Sequence, residues 1–113
     1  MIKEIIEWAD FEKIDIRTGT IIDAKVFEGL RKPAYQLWID FGELGILKSS
    51  AQITVKYQVE DLKNKQIIAV VNFKPKQIST FMSECLVLGV YDETGAVILL
   101  SPDSNTQNGL SIG

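Results

Sequence analysis

The sequence predicts an all-β fold: a small closed barrel of five strands, of the OB type, with a short N-terminal helix and a C-terminal extension. Three observations lead there. The apolar residues change from a helical to an alternating period at Ile14, and then recur in five or six short runs separated by turn residues. The first run, Ile14–Val26, is long and carries an internal glycine, Gly19, which marks a bend or bulge. At 113 residues the chain holds one core and reads as a single domain over residues 1–113. One long bent strand can serve both halves of a closed sheet, and a two-strand meander after it completes the barrel, whereas a sandwich ordinarily needs about seven strands.

Ile2, Ile5, Ile6 and Ala9 stand at i, i+3, i+4 and i+7, and Met1 and Trp8 widen the stripe, so the first element is expected to be a helix over residues 1–9. Asp10 begins a new turn in "DFEK". In the first strand Ile14, Ile16, Thr18, Thr20, Ile22, Ala24 and Val26 share one face. "EGLRKPA" (28–34) is a turn. Tyr35–Phe41 alternate as a second strand, "GELG" (42–45) turns again, and a third strand follows near Ile46–Ala51. Residues 51–65 suit a short helix or two turns. "QIIAVVNF" (66–73) is a buried strand by its β-branched run. Residues 82–92 and 96–100 flank Glu93-Thr94-Gly95, a hairpin turn, and Leu110–Ile112 suits a short terminal strand.

Composition narrows the chemistry. Without histidine, Ser-His and Cys-His nucleophile pairs and the commonest zinc ligand are absent, and one cysteine, Cys85, makes neither a disulfide nor a thiolate metal site. No nucleophile–base pair can be assembled, so the expectation is a protein that is not an enzyme and needs no cofactor or metal. A net charge of −3 argues against broad, non-specific nucleic-acid binding but leaves room for a local basic patch. No apolar run approaches the ~20 residues of a bilayer span, and acids interrupt the first apolar residues, so the expectation is a cytoplasmic protein without membrane insertion. The lone cysteine fits a reducing compartment.

The stretch "VVNFKPKQISTFMSECLVLG" (70–89) raises a functional question. An apolar run reaches Asn72 and Phe73, breaks into Lys74-Pro75-Lys76, and resumes only at Phe81 or Met82, a connection of about eight residues where two suffice for a hairpin. Pro75 limits the freedom of this loop, so the two lysines project from a partly ordered segment. Phe73 and Phe81 bracket it, available for stacking or for the core. Trp38 stands on the polar face of the second strand with Gln36 and Asp40, where a large aromatic meets a partner, a ligand or a neighbouring element. Ser49 and Ser50 suit either a ligand or local hydrogen bonds. Cys85 reads as a buried, inert thiol.

"DFEKIDIRTGTI" (10–21), "IDFGELGILKSSAQIT" (39–54), "NKQIIAVVNFKPKQI" (64–78), "SECLVLG" (83–89) and "NGLSIG" (108–113) together resemble the CsaA-type family of export-related chaperones, a branch of the wider tRNA-binding-domain family. The resemblance implies an OB barrel with terminal extensions, a homodimer and no enzymatic activity. In the wider family a strand ends in Asn and an apolar residue, a basic-Pro-basic segment follows, and a Ser-x-Gly-Met element opens the next strand. Asn72, Phe73, Lys74, Pro75, Lys76 and Ser83 match that outline, while Cys85-Leu86 stands where the family has Gly-Met, preceded by the acidic Glu84.

Two functions follow. The first is a chaperone that binds unfolded or export-bound preprotein polypeptide and assists secretion; the alternative is tRNA binding through the Lys74-Pro75-Lys76 loop. In either, the candidate ligand residues are Asn72, Phe73, Lys74, Lys76, Phe81, Ser83 and Glu84. The termini hold the dimer residues, Ile2, Ile5, Ile6, Trp8, Leu110 and Ile112. Six apolar residues in the first nine exceed what one wall of a small barrel can cover, and a strand at 110–112 is a weak edge unless something pairs with it. A second copy across a two-fold axis supplies both needs.

Overall fold

The computed structural model describes all residues, 1–113. Five strands form one antiparallel sheet in the order β3-β2-β1-β4-β7: β1 (Ile16–Val26), β2 (Tyr35–Asp40), β3 (Ile46–Ala51), β4 (Gln66–Val70) and β7 (Leu86–Val87). β1 is the shared strand. Its first half pairs with β4 from Ile16 to Thr20, and its second half pairs with β2 from Thr20 to Val26. The two ends of the sheet meet at Lys48 of β3, whose carbonyl accepts the N–H groups of Glu84 (2.7 Å) and Cys85 (3.3 Å). Side chains finish the closure: Glu84 Oε1 accepts the Lys48 N–H at 2.9 Å and Ser83 Oγ accepts the Ser50 N–H at 3.0 Å. The result is a nearly closed five-stranded barrel of the OB type.

The core is the interior of this barrel. Ile21, Leu37, Ile39, Phe41, Leu62, Ile67 and Ala69 are all fully buried. Alternation along β2 places Tyr35, Leu37 and Ile39 inward. β1 does not keep one face inward, contrary to the expected set. Its register against β2 shifts between Ile21 and Asp23, so Ile22 is an extra residue and the inward phase passes from Gly19 and Ile21 to Ala24. The bulge therefore lies at Ile22 and not at Gly19. Gly19 serves close approach instead: a Cβ there would stand 2.7 Å from Phe41 Cε1 and 2.8 Å from Ile39 Cγ2.

The N-terminal helix is also displaced from expectation. Residues 1–7 have no regular structure, and α1 runs Trp8–Glu12. The Asp10 carboxylate, within the helix and not ahead of it, accepts the Glu7 N–H at 3.0 Å and so fixes the start there. The same device starts α2 (Val59–Leu62), where Asp61 accepts the Gln58 N–H at 2.9 Å; this short helix is the ordered part of the 51–65 segment. α2 plugs one end of the barrel with the buried Leu62.

The long connection at 71–80 is itself structured. β5 (Lys76–Ile78) and β6 (Phe81–Ser83) form a hairpin around Ser79-Thr80, with Ser79 in the left-handed region at φ 56. The expected strand at 82–92 is three pieces, β6, β7 and β8 (Gly89–Tyr91), because Glu84 and Cys85 turn aside to close on β3. β8 pairs with β9 (Val97–Leu99) across the expected Glu93-Thr94-Gly95 turn. There Asp92 Oδ1 accepts from Thr94 N, Thr94 Oγ1 and Ala96 N, and Oδ2 meets Lys56 Nζ at 3.2 Å.

The C-terminal tail does not wait for a partner. It lies along the side of β1 that β2 leaves open: Thr18 N–H donates to Leu110 O (3.0 Å), Gly109 N–H to Thr18 O (2.7 Å) and Ile112 N–H to Ile16 O (2.9 Å). Gly109 has φ +84, and a Cβ on it would run into the Phe41 carbonyl, so only glycine fits. Arg17 pins this tail by donating to Gly109 O at 2.9 Å while its Nε meets Asp15 at 2.6 Å. No helix of the chain is long and apolar enough to cross a membrane.

Candidate functional site

Two surfaces collect the residues singled out above, at two places on the barrel. The first forms where the β5–β6 hairpin packs against the β1–β2 loop. Phe81, Phe27 and Ala34 are buried together, with Leu30, Trp38 and Ile78 against them. Phe81 therefore belongs to a small aromatic core that sits outside the barrel. It meets Phe27 edge-on at 5.4 Å and Trp38 at 5.9 Å, with an interplanar angle of 83° to the indole. Trp38 is half-buried, and what it meets within the chain is this hairpin.

Lys25, near the end of β1, and Lys48 of β3 lie against the rings of this cluster; Arg31 and Lys32 belong to the β1–β2 loop, Lys76 opens β5, and Lys74 precedes it, six cations in all. The chain's ion pairs are Lys13–Asp10, Arg17–Asp15 and Lys56–Asp92, so none of the six has a carboxylate within 4.0 Å. Lys25 Nζ lies over the Trp38 ring at 5.2 Å and Lys48 Nζ over the Phe81 ring at 5.1 Å. Of the carboxylates, Asp23 stands opposite Trp38 in the strand register and Glu84 accepts from the Lys48 N–H. In a chain of net charge −3, Lys25 and Lys48 put positive charge on the rim of this cluster. Phe73, which follows Asn72 at the end of the β4 run, is 55% exposed.

The remaining ligand candidates here are held by the protein itself. Asn72 Oδ1 accepts the Asp15 N–H at 2.9 Å and its Nδ2 donates to Lys13 O at 2.7 Å, tying the end of β4 to the α1–β1 junction. Ser83 and Glu84 spend oxygens on the barrel closure described above. Of the seven, Phe73, Lys74 and Lys76 present free side chains to solvent. Lys25, Arg31, Lys32 and Lys48 were not singled out from sequence; the signal available was the Arg31-Lys32-Pro33 turn, which repeats the basic-proline character of Lys74-Pro75-Lys76. Ser49 is buried and Ser50 serves the closure. Cys85 is buried, and burial together with the Glu84 charge pushes its thiol up to about 12.

The second surface is the N-terminal end. A groove of about 490 Å³ runs between α1, the start of β1 and the tail, with Trp8, Phe11, Ile14, Ile16 and Ile112 as its apolar lining and Asn72 at its wall. Beside it the arm 1–7 projects from the barrel, and Ile2, Ile5 and Ile6 are 95%, 94% and 64% exposed. Leu110 and Ile112 are also exposed at their side chains, although their backbone is paired with β1. No group of three or more Cys, Asp or Glu side chains gathers to hold a metal ion.

Residues 16–111 match the sequence family described as the putative tRNA binding domain. The chain belongs to this tRNA-binding-domain family. Two solved structures resemble it over nearly its whole length. Chaperone CsaA from Bacillus anthracis is 49% identical with a TM-score of 0.92, covering 97% of this chain and 100% of that one. The CsaA chaperone protein from Picrophilus torridus is 51% identical with a TM-score of 0.90, covering 96% and 100%. The methionine–tRNA ligase of Bdellovibrio bacteriovorus is 35% identical over 104 residues, 92% of this chain and 15% of the ligase. This tRNA-binding-domain chain thus spans about one-sixth of the ligases it matches.

Proposed function

We propose that this chain is a non-enzymatic binding protein of the CsaA type, a cytoplasmic homodimer that holds unfolded or export-bound polypeptide and assists its secretion. The observation that carries this reading is the concentration of exposed large apolar side chains at the N-terminal end, beside a groove with an apolar floor. A monomer leaves Met1, Ile2, Ile5, Ile6 and Trp8 in water; each is at least 64% exposed. Exposed apolar surface on this scale serves association. A second copy across a two-fold axis covers the arms, and grooves continued across that interface accept extended apolar segments. Likeness to two chaperones over their whole length supports the same reading.

A second reading is tRNA binding at the basic end. It is favoured by the six unpaired cations and by the position of that end, which brings together the loops after the first and fourth barrel strands, the loops OB barrels use for oligonucleotides. Titrating the protein with an unfolded preprotein and with bulk tRNA across a salt series separates the two. Apolar polypeptide binding holds nearly constant with salt, whereas binding through phosphates weakens steeply. Lys74→Ala with Lys76→Ala is expected to flatten the tRNA salt slope by roughly 0.7–0.9 for each phosphate no longer neutralised, and to leave polypeptide binding unchanged. A salt-insensitive tRNA complex, or an unchanged slope in the variant, removes the loop from tRNA binding. Failure to bind any unfolded polypeptide overturns the first reading.

A further inference from the structure

The outer face of β1, β2 and β3 carries two rows of side chains beside the aromatic cluster. The register aligns Asp23, Trp38 and Lys48 in one row and Lys25, Gln36 and Ser50 in the next. We infer that this face is a stacking platform for one unpaired nucleotide of an RNA, the Trp38 indole taking the base and the Lys25 and Lys48 ammonium groups taking the adjoining phosphates. The inference rests on the tRNA reading of this end and adds to it the part of the RNA that is read and the residues that read it.

Three features support the assignment. The ring of Phe81, meeting Trp38 at 83°, fixes the plane of the indole, so the platform is set before any ligand arrives. The Lys25 ammonium lies over the Trp38 ring, 5.2 Å from its centroid, and the indole is only partly buried. A single cation over a partly buried ring is held modestly, and a base that displaces it brings a phosphate to the same lysine. Lys25 and Lys48 also lack any carboxylate partner. Two acids of these strands and the seam are engaged with backbone: Asp23 Oδ1 accepts the Ala24 N–H at 2.9 Å and Glu84 Oε1 the Lys48 N–H at 2.9 Å. A fixed planar face flanked by free cations matches a ligand that is itself planar and anionic, which is a nucleotide before it is a peptide.

Trp8→Phe leaves Trp38 as the sole tryptophan. In that variant, single-stranded oligoadenylate and bulk tRNA at low salt are expected to quench Trp38 emission saturably, and an RNA duplex of the same length is not. In the native background, Lys25→Ala with Lys48→Ala is expected to lower the oligoadenylate salt slope by about 0.7 per phosphate. Trp38→Ala is expected to weaken binding roughly ten-fold or more, the loss of one stacked base; the quenching measurement stands independently if that variant folds poorly. Saturable tRNA binding with Trp38 emission unmoved overturns the platform and leaves the tRNA reading intact. No binding of any RNA overturns both. Quenching by an unfolded polypeptide and not by RNA reassigns the face to peptide and overturns the inference.

Discussion

Single residues act here through the groups they satisfy. Cys85 is held in the barrel seam with Sγ 3.7 Å from Lys48 O, in a setting that disfavours the thiolate. Its folded-state value of about 12 stands above the usual 9.0, so the folded protein binds its proton more tightly than the unfolded chain. That contribution to stability is complete below pH ~9 and is lost as pH rises toward ~12. A disulfide reagent at pH 8 is expected to label the native protein far more slowly than the urea-unfolded chain; equal rates contradict the buried thiol. Asp92 has the opposite sign. Hydrogen bonds from Thr94, first of all its hydroxyl, then the backbone of Thr94 and Ala96 and the Lys56 ammonium hold its carboxyl well below the usual 3.8. Its contribution is present above that usual value and is lost as pH falls through the lower folded value. Asp92→Ala is therefore expected to lower Tm at pH 7, with the gap from wild type closing in strong acid. A gap that stays constant down to that pH contradicts the role.

At the scale of elements, β1 decides most of the architecture. It is 11 residues long, and its bulge at Ile22 allows it to join β4 with one half and β2 with the other. Gly19 lies in the half that crosses closest to the buried Phe41 and Ile39. Both of those side chains are enclosed, so a methyl group there displaces core atoms and not the free end of a flexible chain. Gly19→Ala is expected to cost about 1–3 kcal/mol by overpacking, seen as a lower urea midpoint at unchanged slope. A midpoint equal to wild type contradicts the close packing. The β5–β6 hairpin is the second deciding element. It turns a basic connection into a flange whose underside, through Phe81, is anchored to Trp38, and whose lysines stay outside.

For the whole molecule the contrast between the two ends matters most. The C-terminal tail is stitched to β1 through backbone bonds, Arg17 and Thr18, so it belongs to the barrel. The arm 1–7 has no such ties: within it the hydrogen bonds lead only from Glu7 to Asp10. Deleting residues 1–7 is accordingly expected to leave the thermal unfolding of the barrel nearly unchanged and to shift sedimentation or light scattering toward monomer. A truncated protein that remains fully dimeric at micromolar concentration shows that the arm does not join two copies, and a full-length protein that is monomeric there removes the dimer altogether.

Alternation and turn chemistry are local and survive in one dimension, so the fold class, the strands β1 to β4, the Glu93-Thr94-Gly95 turn and the family were legible in the sequence. It also located the basic loop, since lysines around a proline need no partner to be recognised. Which face of β1 lies inside was not legible there, because a single extra residue at Ile22 inverts the alternation without altering composition. The same holds for the first helix. An apolar stripe at residues 1–9 predicts helix only when there is a surface to bury it, and the capping carboxylate of Asp10 starts the helix at Trp8 instead. The fate of Asn72, Ser83 and Glu84 was hidden for a related reason. Their polar groups satisfy backbone groups 33 to 59 positions away in the chain, pairings that exist only once the barrel has closed. Closure likewise brought Lys25, Trp38 and Lys48, scattered over three strands, onto one face beside the hairpin, and no spacing along the chain announces that neighbourhood.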